Sequence, residues 1–275
     1  TTLADKKKQG GKAPRRPHIR RIITAVCVAL LLLGVWQFSM MGAGYPGEDP
    51  AWVFIPPGST KAQIEDSLRS SLGDSFGKKV NSLLFGNPGR GGGAYRVDSG
   101  DSAVGVARRI AKGQQTPVKL TFNNIRTVDE LASRLSSRMG WSKDDFLKAF
   151  AEEQLAGHMI PDTYEVYWTN SPQKIISKIL ANYERFWTGE RREQAKELGL
   201  TPDEVSTLAS ICEEETSRRD ERGKIARLYL NRLKKGMRLQ SDPTVRYASG
   251  DFTVQRIGGK MLDIDSPFNT YRYAG

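Results

Sequence analysis

A chain of 275 residues with 38% hydrophobic side chains can bury a core and falls in the range of one to three domains. Its net charge of +11 invites a nucleic-acid partner, but Lys6, Lys7, Lys8, Lys12, Arg15, Arg16, Arg20 and Arg21 crowd the first stretch against Asp5 alone, and the rest is mixed in sign, which removes the case for nucleic acid. Two cysteines, Cys27 and Cys212, and two histidines, His18 and His158, are too few and too scattered for a disulfide framework or a metal centre, so no metal or other cofactor is expected.

The run Ile22 to Met41 carries no charge and only Thr24, Gln37 and Ser39 as polar side chains. At 1.5 Å per residue it is long enough to cross the ~30 Å hydrocarbon layer. The basic cluster before it would stay cytoplasmic, leaving the remainder outside. Residues 1–21 then read as a cytoplasmic arm, 22–41 as a transmembrane helix and 42–50 as a linker. A cleaved signal peptide ending near Gly42-Ala43-Gly44 is the rival; the long apolar run and long basic region favour an uncleaved single-pass anchor.

A strand–turn–helix unit then recurs. Trp52 to Ile55 precedes a Ser59-Thr60 turn and a helix with Ile64 and Leu68. Tyr95 to Val97 precedes Ser102 and a helix with Val104, Ala107 and Ile110. Val118 to Phe122 precedes Thr127 and a helix with Val128, Leu131 and Leu135. Each pairs a short apolar run with a Ser/Thr helix cap. The second copy resembles a LysM module, a small fold that binds N-acetylated sugars, and 51–117 is expected to be a LysM-like α/β domain. Gly86 to Gly93 lacks the Gly-Lys-Ser/Thr ending of a phosphate loop and reads as a flexible turn.

Residues 118–275 form the second expected domain, so the whole is α+β. Ser142, with Asp145 three residues on, starts a helix. Gly157 to Tyr167 reads as loop then strand, with Tyr164 in the core. Pro172 to Leu198 reads as one long helical region, and Thr201-Pro202 opens the next helix. A further helix covers about Glu221 to Lys235, with Ala226, Tyr229, Leu230 and Leu233 on one face and Gly236 as its stop. Gln240 to Gly275 reads as loops with short strands.

The helix after Thr201 carries Glu213, Glu214 and Glu215. Successive residues point about 100° apart, so Val205, Leu208, Ala209, Cys212 and Thr216 share an apolar face. Glu214 points away from it, and Glu213 and Glu215 flank it, half out of water. A half-buried carboxyl can hold a proton and act as a general acid. No Ser-His-Asp or Cys-His constellation competes with it. Asn231, Gln240, Ser241, Asp242, Tyr247, Asn269, Tyr271 and Arg272 supply the polar surface a sugar needs. Helical geometry leaves Glu213 and Glu215 equally eligible as the acid.

The ordered motifs Ile160-Pro161-Asp162-Thr163-Tyr164, Ala209 to Glu213, Asn231-Arg232-Leu233, Met237 to Val245 and Ser266 to Arg272 resemble the MltG (YceG-like) family of endolytic murein transglycosylases. The family's Ser-Ile-Val-Glu-Lys-Glu-Thr pattern reads here Ser210-Ile211-Cys212-Glu213-Glu214-Glu215-Thr216, which puts the catalytic glutamate at Glu213. The resemblance implies cleavage of the MurNAc–GlcNAc bond to a 1,6-anhydroMurNAc end, with Glu213 as acid and then base. Glu215, Gln240, Ser241, Asp242, Tyr247, Asn269, Tyr271 and Arg272 become the expected substrate-binding residues. It also implies a bacterial inner-membrane location with the catalytic domain extracytoplasmic, glycan strands as substrate, and peptidoglycan synthases as partners by analogy. Two departures stand out. Phe122 to Arg126 replaces a segment that is Pro-Glu-Gly in many relatives. The chain also stops at Tyr273-Ala274-Gly275 where the family continues, so a truncated catalytic domain is expected. The alternative function is a non-catalytic, membrane-anchored peptidoglycan-binding scaffold.

Overall fold

The computed structural model describes residues 17–41, 44–84, 92–153 and 159–274, and within the first helix the side chains of residues 21–36. Most of the basic arm, the small residues Gly42-Ala43, the glycine run up to Arg90-Gly91, the Gly157-His158 pair and the terminal Gly275 lie outside the described residues. The chain divides into two compact units, Thr1–Thr116 and Pro117–Gly275.

The first unit begins with α1 (Pro17–Met41). Its apolar side chains between Ile22 and Trp36 are exposed. On the expected transmembrane helix, no helix among the described residues is long and apolar enough to cross a membrane. The expected span runs past Trp36, the last residue of α1 whose side chain is described.

Strand β1 (Ala51–Ile55) pairs antiparallel with β2 (Gly93–Val97), Val53 opposite Tyr95. Between them run α2 (Lys61–Leu72) and α3 (Asp74–Ser82), and α4 (Ala103–Ala111) follows β2. Strand alternation sends Val53 and Ile55 into the core beside Ile64, Leu68 and Val80. Thr60 caps α2 through a capping box with Gln63, and Ser102 caps α4 through the Gly105 amide. Helices α2 and α3 approach so closely at Gly77 that a Cβ there would lie 2.6 Å from the Leu68 carbonyl oxygen.

In the second unit β3 (Val118–Phe122) pairs antiparallel with β4 (Asp162–Val166). Helices α5 (Val128–Ser136) and α6 (Lys143–Glu153) fill the connection. Tyr164 is buried as expected, stacked on Phe122 at 5.3 Å, with its hydroxyl donating to the Ile160 carbonyl at 2.6 Å. Asn124, in the segment that departs from Pro-Glu-Gly, adopts φ +50. Asparagine tolerates this left-handed conformation better than most side chains.

The single helix expected over Pro172 to Leu198 is instead two, α7 (Pro172–Phe186) and α8 (Gly189–Glu197). Thr188 caps α8, while Arg191 and Arg192 donate to the freed carbonyls of Phe186 and Trp187 at 2.7 and 2.9 Å. Side chains thus satisfy the groups that a helix end leaves open. Then come α9 (Pro202–Glu215), α10 (Arg219–Lys234), α11 (Asp242–Ser249) and a 3₁₀ turn at Gly259–Asp263. No strand occurs among the described residues after Gln240, which corrects that expectation. Pro243 in the first turn of α11 favours a helix start instead.

Candidate active site

Helix α9 starts cleanly because Thr201 and Glu204 form a capping box and Pro202 sits in the first turn. It packs on α10 through Leu208 and Cys212 against Tyr229, with Ile225, Ala226 and Leu233 at the margin. The buried stripe is narrower than expected: Ala209 is exposed. Burial pushes the Cys212 thiol up, and Glu215 adds to it, so this cysteine is a packing group rather than a nucleophile.

Glu213, Glu214 and Glu215 occupy the last turn of α9, which contains no cation. Carboxylates at a helix C-terminus oppose the macrodipole, costing about 0.3–1 kcal/mol each at the surface. Each takes a partner from another element. Arg222 of α10 places Nη1 3.2 Å from Glu213 Oε1. Arg126, just before α5, donates to Glu214 Oε2 from both Nε and Nη2 at 3.2 Å. Glu215 accepts from the Tyr229 hydroxyl of α10 and from Ser241 Oγ at 2.5 Å. The three adjacent carboxylates are thereby held in three directions.

The Glu213 side chain is 42% exposed. This is the half-exposed position that helical spacing gives a residue on the flank of the apolar stripe. Glu214 is exposed, as expected, and is also tied to Arg126.

Behind Glu215 lies a buried polar corner. The Ser241 amide donates to Thr270 Oγ1 at 3.0 Å, Thr244 and Thr270 share a hydroxyl bond of 2.8 Å, and the Gln240 amide donates to the Thr270 carbonyl at 3.1 Å. The Tyr271 hydroxyl donates to Asp242 Oδ1 at 2.8 Å, and this bond pushes the phenol pKa up. Glu215 with Ser241, and Asp242 with Tyr271, thus form two hydrogen-bonded pairs at this corner, and these are four of the expected sugar-binding residues.

The other four are placed differently. The Gln240 side chain accepts from Arg232. Asn269 is fully buried, donating to the Leu262 and Ile264 carbonyls at 3.0 and 2.8 Å and accepting from the Tyr271 amide at 3.1 Å. It braces a turn and offers nothing to a sugar. Arg272 donates to the Asp263 carbonyl at 2.7 Å. Tyr247 stands in an exposed aromatic group with Phe252 and Phe268.

Arg126, Arg222, Tyr229, Thr244 and Thr270 are the members that sequence reasoning missed. Tyr229 carried a signal: a lone hydroxyl on the face of Ala226, Leu230 and Leu233 needs a partner once buried. Burial pushes the Tyr229 phenol above its ordinary value of 10.0, and Glu215 pushes it further. The folded state therefore holds this proton more tightly than the unfolded state. Its contribution is complete below pH 10.0 and declines as pH rises beyond that. Alkaline titration of thermal stability is expected to show a decline above about pH 10 that is shallower in Tyr229→Phe. Equal alkaline slopes would count against the Tyr229–Glu215 bond.

The pattern of the YceG-like family matches residues 53–275. An endolytic murein transglycosylase of Bacillus subtilis is 34% identical over 132 residues, covering 48% of this chain and 36% of that protein. One from Streptococcus pneumoniae serotype 2 is 30% identical over 129 residues, covering 46% of this chain and 23% of that protein. The chain therefore spans about a third or less of the length of these relatives. The crystal structure of a YceG-like protein from Listeria monocytogenes superposes with a TM-score of 0.55 at 25% identity, over 83% of this chain and 84% of that one. With the family pattern running from β1 through the carboxylate turn of α9 to the last residue, the chain belongs to the YceG-like family.

Proposed function

We propose that the chain is an endolytic murein transglycosylase that cleaves the MurNAc–GlcNAc bond of glycan strands, with Glu213 as acid and then base. The observation that carries this reading is the match of the family pattern across the α9 turn, together with relatives named for this activity. Glu213 donates a proton to the bridge oxygen as the bond to the anomeric carbon breaks. The substrate's acetamido oxygen stabilises the developing cation. Glu213, now a carboxylate, accepts the proton of the MurNAc 6-hydroxyl as that oxygen closes on the anomeric carbon. The product is a 1,6-anhydro end, and no water is consumed. A bound strand would cover Glu213, and covering a carboxyl favours its neutral form. Arg222, at 3.2 Å from Glu213 Oε1, orients the carboxyl group. Glu215, Ser241, Asp242 and Tyr271 supply the polar wall.

The reading includes a membrane tether with the catalytic unit extracytoplasmic. Its support is the uncharged run Ile22–Met41 behind a basic arm. Alkaline carbonate extraction of membranes from cells making the chain is expected to leave it in the pellet; release into the supernatant would remove the tether. The synthase partnership stands on analogy.

The exposure of Glu213 favours a second reading, a glycan-binding scaffold without turnover. Incubating the chain with purified sacculi separates the two. Anhydro-ended soluble fragments support the enzyme, and binding without release supports the scaffold.

A further inference from the structure

Tyr247 and Phe268 are 45% and 55% exposed, yet their rings meet at 4.9 Å and 79°. Phe252 extends the group, its ring centre 6.4 Å from that of Tyr247. Exposed aromatic groups of this kind mark surfaces that bind something. The patch is held from below: Asn269, next to Phe268, is fully buried and pinned to the Leu262 and Ile264 carbonyls.

The patch is also continuous with the carboxylate turn. The Arg126 guanidinium lies 5.6 Å from the centre of the Phe252 ring and donates to Glu214, the neighbour of Glu213. One arginine thus bridges the aromatic group and the end of α9.

We infer that Tyr247 and Phe268 form a stacking subsite for a saccharide ring of the glycan strand, at a distance from the bond being cut. The apolar C–H face of a pyranose packs on a π-face while its hydroxyls stay in water. Two rings near a right angle provide a floor and a wall for one sugar. The surroundings suit a glycan better than an apolar peptide, because Arg126 lies over the Phe252 ring and the exposed Asp251 and Thr253 flank Phe252 in the chain. The inference rests on the glycan-cleaving reading and says where the strand lies.

The test uses the full chain carrying Glu213→Gln, so that bound strands stay intact, and amidase-treated soluble murein strands as the probe. Calorimetric titration is expected to show affinity about tenfold weaker for Tyr247→Ala with Phe268→Ala. Tyr247→Trp and Tyr247→Phe should keep the affinity, because the ring face and not the hydroxyl does the binding. Tyr247→Leu, which keeps apolar bulk but has no ring face, should lose it even if the double alanine variant folds poorly. In chains that retain Glu213 the loss should fall mainly on KM. A folded Tyr247→Leu or double alanine variant that binds within twofold of its parent overturns the subsite. Loss of binding in these variants with no cleavage by the wild-type chain would keep the subsite and reject the transglycosylase. Cleavage by the wild-type chain with undiminished binding by the variants would do the reverse. A wild-type chain that neither binds nor cleaves rejects both.

Discussion

Glu213→Gln should abolish release of anhydro-ended fragments from sacculi, lowering the rate by about a thousandfold. Glutamine matches the shape of glutamate but has no proton to give the bridge oxygen and cannot take one from the 6-hydroxyl. The fold should hardly notice. Among the described residues, the tie that the substitution weakens is the Arg222 ion pair, whose side chains are 35% and 42% exposed. Pairs this open contribute about 0–1 kcal/mol. Thermal melts of the two proteins should therefore nearly coincide, which isolates the chemical effect. Glu215→Gln provides the contrast. It retains an oxygen to accept from Tyr229 and Ser241, so its activity loss should be far smaller. Full product release by Glu213→Gln, or a larger loss from Glu215→Gln, would move the acid away from position 213.

Asn269→Ala should destabilise the second unit strongly for a polar substitution. One side chain satisfies two carbonyls and one amide, and it is fully buried. Alanine leaves these groups without their partner, and each buried group left unsatisfied costs about 1–3 kcal/mol. Partial access to water lowers the sum, so a loss of about 3 kcal/mol is expected in denaturant titration. Because the chain has two units, the measurement should follow hydrogen exchange in residues 242–271 rather than a single global signal. Activity should fall with it, since the Asn269 carboxamide holds the backbone of Tyr271, whose hydroxyl bonds Asp242. A stability change under 0.5 kcal/mol would remove Asn269 from the role of a brace.

The contrast between Glu213 and Asn269 shows how much of the site could be read along the chain. Both are polar residues inside a family motif. Helical spacing placed Glu213 and Glu215 on the flanks of α9, and the capping chemistry of Thr201 and Glu204 located where that helix begins. The caps Thr60, Ser102 and Thr127 likewise fell where their helices start, because a cap bonds an amide three residues away. Asn269 gave no such local clue. Its partners at 262 and 264 lie in a turn whose course depends on what packs around it. The break at Trp187 was equally hidden, since Arg191 and Arg192 read as ordinary helix residues until their side chains turn back onto open carbonyls.

Periodicity, caps and charge order were enough to establish an α+β chain, the helix carrying three carboxylates, and a basic arm ahead of an apolar helix. These depend on interactions within a few residues, and such interactions are written in spacing. The partners of the carboxylates were settled by packing: Arg126 reaches Glu214 from 88 residues away and Ser241 reaches Glu215 from 26. Contacts over such separations form only when whole elements dock. The same docking gave Glu213, half out of water as its spacing implies, its Arg222 partner from the next helix.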